Sequence, residues 1–180
     1  MHRLYRLLRN PVVIGVLLIG AAGAGFGLYW FQPWKLWTNE TVEEDLPTQV
    51  APRPGEESPR PQRLKTLATG KLISHEHPTS GTVKILESAG GERFLRLEEL
   101  DTSDGPALHV WLTDAPVKKG SSGWHVFDDG AYENLGDLKG NKGDQNYRIP
   151  DGTDLNKYQS VSIWCDRFDV SFGAAELEKS

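Results

Sequence analysis

One cysteine, five histidines and six tryptophans are the side chains of this 180-residue chain best suited to redox or ligand chemistry. Cys165 stands alone, which excludes an intrachain disulfide and any cysteine-rich zinc or iron–sulfur site. It closes Val161-Ser162-Ile163-Trp164-Cys165, the most strand-like run near the C-terminus. A lone cysteine in an exported domain is either a small core hydrophobe or a thiol held for intermolecular, redox or ligand chemistry. Arg167 would favour its thiolate if close, and Asp166 would oppose it.

His75 and His77 stand at i, i+2, a spacing that puts two rings on one side of an extended segment. Such a pair could hold a metal if a third ligand came from elsewhere. The competing reading is a solvated polar loop before the Pro78-Thr79-Ser80-Gly81 turn. His109 and His125 flank tryptophans and are the available distal ligands. No Gly-x-Ser-x-Gly elbow is present, so the chain carries no hydrolase signature. The run Gly136 to Asn146 is rich in glycine and side-chain oxygens but lacks the acid spacing of a calcium loop. Turn chemistry explains it better, with positive-φ positions at Gly140-Asn141 and Gly143-Asp144.

Short strand-like runs separated by turn residues must position these groups. They cover 82–87, 93–100, 107–113, 124–127, 146–149, 160–165 and 168–172, and the first two form a hairpin across Ser88 to Glu92. The expected fold is mainly β, an antiparallel sandwich or small barrel over residues 66–180. Alternation puts Leu108, Val110 and Leu112 on a core face, with Val161, Ile163 and Cys165 and with Phe168, Val170 and Phe172. His109, Trp111 and Trp164 then point the other way. Large aromatics on an outward face require a second buried layer or a binding surface.

Residues 11–31 contain no charged side chain and are long enough to cross a hydrocarbon core of about 30 Å as a helix. Asn10 suits the N-cap and Pro11 the first helical position. Arg3, Arg6 and Arg9 put residues 1–10 on the cytoplasmic side. Tyr29, Trp30, Phe31, Trp34 and Trp37 form an outer aromatic belt. The chain therefore reads as a single-pass cell-membrane protein whose C-terminal domain faces the cell exterior or envelope. A cleaved signal peptide ending near Ala22-Gly23-Ala24 is the alternative, and the apolar run that continues beyond it favours an uncleaved anchor. Gly20, Gly23, Ala24 and Gly27 share one helix face, a spacing that permits weak dimerisation of the anchor.

Residues 32–65 hold scattered prolines among polar side chains and read as a disordered linker. Residues 70–180 carry nineteen acids against twelve bases, a net charge of −7. That balance repels phosphate backbones and excludes nucleic acid as a partner.

Several separate motifs then resemble one family. They are His77-Pro78-Thr79-Ser80-Gly81-Thr82-Val83, Leu97 to Thr102 with Gly105 to Leu112, Leu138 to Tyr147, and Ser162 to Cys165 with Phe168 to Gly173. Together, over roughly 66–177, they look like the DM-thirteen domain, also called the electron-transfer DM domain, in its membrane-anchored bacterial arrangement. The resemblance implies a β-sandwich-like fold, an extracytoplasmic setting and a redox role centred on Cys165. The cofactor stays open, haem or a metal being the candidates. The leading expectation is redox chemistry at Cys165 with an extracytoplasmic partner, with Trp164, Trp111 and His109 shaping the site. The alternatives are a non-enzymatic interaction or adhesion module docking through the tryptophan face, and weak metal capture by His75 and His77.

Overall fold

The structure, a computed structural model, describes residues 10–47 and 64–180. The basic N-terminal residues and the proline-rich centre of the expected linker, 48–63, lie outside the described residues.

Helix α1, Pro11–Phe31, has 21 residues and is about 31 Å long. The Asn10 side chain accepts from the Val12 N–H at 2.9 Å, and proline fills the first turn where an N–H would have no partner. None of its residues is buried against the protein, and it is long and apolar enough to cross a membrane. Gln32 ends it in the left-handed conformation (φ 42°), and a 3-10 turn follows over Pro33–Trp37. Around Gly20, Gly23 and Gly27 there is open space.

Among the described residues eleven strands follow: β1 Thr41–Glu43, β2 Lys65–Lys71, β3 Ile73–Ser74, β4 Ser80–Glu87, β5 Arg93–Asp101, β6 Leu108–Thr113, β7 Tyr132–Asp137, β8 Lys142–Ile149, β9 Ser160–Cys165, β10 Val170–Glu176 and β11 Glu178–Lys179. One sheet runs β1-β8-β5-β4-β2-β11 and the other β3-β10-β9-β6-β7. All pairings are antiparallel except β1 on β8. The expected hairpin is β4–β5, with Glu87 opposite Arg93. The mainly-β sandwich expected from alternation is the observed fold.

Apolar residues at alternate positions explain the core between the sheets. Val83, Ile85, Leu95 and Leu97 from one sheet meet Leu108, Val110, Leu112, Val161, Ile163 and Cys165 from the other. Each such aliphatic side chain contributes roughly 1.5–3 kcal/mol by leaving water. Val170 and Phe172 join them as expected, whereas Phe168 sits in the turn before β10 and is exposed.

Several segments differ from the sequence reading. Residues 124–127 are not a strand. They lie within the loop between β6 and β7, because flanking glycines and aspartates leave too few residues for a ladder, and Phe127 is buried instead. Strand β7 was not anticipated, since Tyr-Glu-Asn-Leu-Gly-Asp lacks a clear apolar alternation. Residues 33–46, expected to be linker, dock on the domain. Lys35 Nζ lies 2.9 Å from Asp104 Oδ1, Asn141 holds Asn39 and the Glu40 N–H, and β1 extends the sheet. The polarity of this stretch serves ion pairs and a sheet edge, which composition alone cannot distinguish from hydration. In the glycine-rich run, Gly143 has the expected positive φ (91°), but Gly140 and Asn141 do not; Lys142 onward is strand β8.

Candidate redox site around Cys165 and the tryptophan pair

Cys165 is the last residue of β9, opposite Leu108 on β6 and Val170 on β10. Its side chain lies on the inner face with no solvent exposure. A tight turn follows, closed by the Phe168 N–H on the Cys165 carbonyl at 3.3 Å and by Asp169 at φ 50°. Burial pushes the thiol above its ordinary pKa. The backbone N–H groups of Arg167, Phe168 and Ala107 oppose that shift, and the Glu76 charge adds to it. The resting group is therefore a thiol, and it is not poised for thiolate exchange at neutral pH.

The charges beside Cys165 are spent elsewhere. Arg167 Nη1 donates to the Trp30 carbonyl at 2.7 Å, and its guanidinium sits 5.3 Å from the Trp30 ring centre. Asp166 approaches His109 Nε2 at 3.2 Å. Phe168 stacks on Phe31 at 6.0 Å. The turn that ends the cysteine strand thus packs against the exit of α1. A cleft of about 240 Å³ lies there, walled by Phe31, Pro33, His77, Pro106, Phe168 and Phe172.

On the outer face of the same sheet, Trp111 and Trp164 are 4% and 1% exposed. Register explains the pairing: β6 and β9 run antiparallel, with Trp111 opposite Ser162 and His109 opposite Trp164. The rings stack at 5.0 Å, and Trp111 also lies against Tyr132 at 3.9 Å and 4°. Ala115, Phe127, Ala174, Val117 and Val126 complete this second cluster. The outward aromatics are explained by a second buried layer, supplied by the loop between β6 and β7. As folded, Trp111 does not present a docking face. Its Nε1–H is buried without an acceptor among the described residues.

His109 borders a second cleft of about 400 Å³ with Lys35, Asp104, Asp137 and Asn141. Its Nδ1 is 3.1 Å from Asp137 Oδ1, close enough for electrostatic attraction but not aligned for a hydrogen bond.

His75 and His77 do not face a common point. His75 Nε2 donates to the Lys118 carbonyl at 3.0 Å, so its Nδ1 is the acceptor facing Ser171 Oγ at 2.8 Å. Ser162 donates to Ser171 in turn, at 3.0 Å. Burial pushes the His75 pKa down, although the Lys118 carbonyl favours the charged ring. His77 stacks on Phe172 at 3.9 Å, and burial depresses its pKa against the nearby Glu76. His125 Nδ1 donates to the Asp169 carbonyl at 2.6 Å and ties the loop to the cysteine turn.

Sequence reasoning missed the Ser162–Ser171–His75 chain. Its only signal was a pair of serines on the face opposite the aliphatic residues of β9 and β10. It also missed Arg96, buried among Glu98, Asp144 and Asn146 while donating to the Glu44 and Asp45 carbonyls. That arginine holds the segment after α1 on the sheet.

Residues 71–177, more than half of the chain, match the model of the family described as Electron transfer DM13. The chain belongs to that family. No curated protein and no solved structure matches it. The DM13 match gives the domain an electron-transfer-associated role, and its boundaries coincide with the sandwich from the end of β2 to the residue before β11.

The residues present do not fit a metal or haem at Cys165. Its sulfur is enclosed, and the thiol lines neither flanking cleft. Among the described residues, no group of three or more His, Cys, Asp or Glu is arranged to hold a metal ion.

Proposed function

We propose that this protein is a single-pass membrane protein, N-terminus cytoplasmic, that holds its DM13 domain on the outer side of the cell membrane. There it exchanges electrons with a separate partner through Cys165. The observation that carries the reading is the position of Cys165: an isolated, enclosed thiol at the end of the electron-transfer domain that packs against the α1 exit. With one thiol, the chain cannot form a disulfide on its own. The thiol gives one electron to an external one-electron acceptor and its proton to water, leaving a thiyl radical that a hydroquinone-type donor reduces back with one electron and one proton. Trp164, Trp111 and His109 shape the surrounding sheet. Two anchors associating through Gly20, Gly23, Ala24 and Gly27 would place two such domains side by side.

The test is anaerobic titration of the full chain in lipid nanodiscs with a ferricenium-type one-electron acceptor. Wild-type protein reduces one equivalent and Cys165→Ala reduces none. Equal reduction by both proteins would remove Cys165 from the reaction.

A further inference from the structure

We propose that Trp164, Trp111 and Tyr132 form a one-electron relay across the outer face of the β6–β9 sheet, with Tyr132 as its solvent port. The proposal rests on the electron-transfer reading of the domain and supplies a route that does not pass through the thiol.

The geometry is a continuous column. Trp164 meets Trp111 at 5.0 Å and 23° between planes, and Trp111 meets Tyr132 at 3.9 Å and 4°. Indole and phenol are among the most readily oxidised side chains, and rings in van der Waals contact exchange electrons without a bridging cofactor. Trp164 directly precedes Cys165, so the buried end of the column adjoins the strand end that packs toward α1. Tyr132 is 44% exposed at the other end.

The polar environment sets the direction. An oxidised indole is trapped when its Nε1 proton passes to an acceptor. Trp111 Nε1–H is buried and has none among the described residues. Oxidised Trp111 therefore keeps its proton and its full oxidising strength, and it draws an electron from Tyr132. Water accepts the phenolic proton there. In balance, a metal-complex oxidant strong enough to oxidise indole, which a ferricenium-type acceptor is not, takes an electron from Trp164, Trp111 refills Trp164, and Tyr132 refills Trp111. The products are the reduced acceptor, one proton in water and a neutral phenoxyl radical at Tyr132. A hydroquinone-type donor in solvent returns one electron and one proton to Tyr132. Ordinary aromatic packing would account for the buried tryptophans, but it gives no reason for an exposed tyrosine stacked parallel on a proton-locked indole.

The experiment uses the full chain in nanodiscs with Cys165→Ala and Asp128→Cys, the latter carrying a ruthenium polypyridyl photo-oxidant. Asp128 is exposed and adjoins Phe127, which packs edge-on against Trp164 at 6.4 Å. After a flash, transient absorption should show an indole radical decaying as a phenoxyl radical grows. Tyr132→Phe, which keeps the stacked ring, should lose the phenoxyl signal and leave a long-lived indole radical. Trp111→Phe should lose both the transfer and the phenoxyl. No phenoxyl in the parent, or an undiminished phenoxyl in either variant, would overturn the relay. Because Cys165 is absent throughout, these outcomes are independent of whether the thiol exchanges electrons.

Discussion

The two faces of the five-stranded sheet are made by the same strands and closed by different means. The inner face, with Val110, Ile163 and Cys165, is covered by a second sheet whose aliphatic residues interdigitate with it. The outer face, with Trp111 and Trp164, is covered by the β6–β7 loop carrying Ala115 and Phe127, to which His75, just after β3, is hydrogen-bonded through the Lys118 carbonyl. Sheet-on-sheet burial needs only alternation. Loop-on-sheet burial needs polar partners placed one by one, and its two ends respond differently to pH and to access.

The largest test of that contrast is truncation on each face. Trp164→Ala should cost about 4 kcal/mol and Ile163→Ala about 3 kcal/mol in urea unfolding of the full chain in detergent. If Trp164→Ala costs under about 1 kcal/mol, the outer cluster is loose and is not a second core.

A smaller effect separates the cover from what it covers. A Cβ at Gly123 would fall 2.1 Å from the Lys118 carbonyl oxygen and 3.1 Å from His75 Nε2. Gly123→Ala should therefore cost about 2 kcal/mol and make tryptophan emission more quenchable, while Cys165 stays shielded from thiol reagents. Equal opening of both faces would merge them into one unit.

The two faces should also fail at opposite pH. Burial lowers the His75 pKa below its ordinary 6.5, so its contribution is full above that value and is lost as pH falls through the folded pKa. Burial raises Cys165 above its ordinary 9.0, so its contribution is full below that value and is lost as pH rises. His75→Phe should flatten the acid limb of the stability profile, and Cys165→Ala the alkaline limb. Both are smaller effects than the truncations, and swapped limbs would refute the assignment.

Particular residues show what was legible beforehand. Leu108, Val110, Leu112, Val161, Ile163 and Cys165 were readable as a core face because a strand's side-chain period is two whatever it pairs with. Trp111 and Trp164 were readable as needing cover, and alternation could not say that a loop supplies it. Asn10 and Pro11 were readable as a helix start because capping is local. His75 was not readable. Its partners, Ser171 and the Lys118 carbonyl, lie 96 and 43 residues away, and only the folded topology brings them together. The strap at 33–46 failed for the same reason: Lys35 and Asn39 find Asp104 and Asn141 across the fold. Whether the Arg167 or the Asp166 charge lies nearer the sulfur was not readable; the structure turns the Arg167 guanidinium toward Trp30, and its backbone N–H is what acts on the thiol.

Voltammetry of the full chain in a supported bilayer, wild type beside Cys165→Ala, tests the central claim most directly. A reversible one-electron wave in the wild type that vanishes in the variant is the predicted result. An identical wave in both, or none in the wild type, would contradict electron exchange at Cys165.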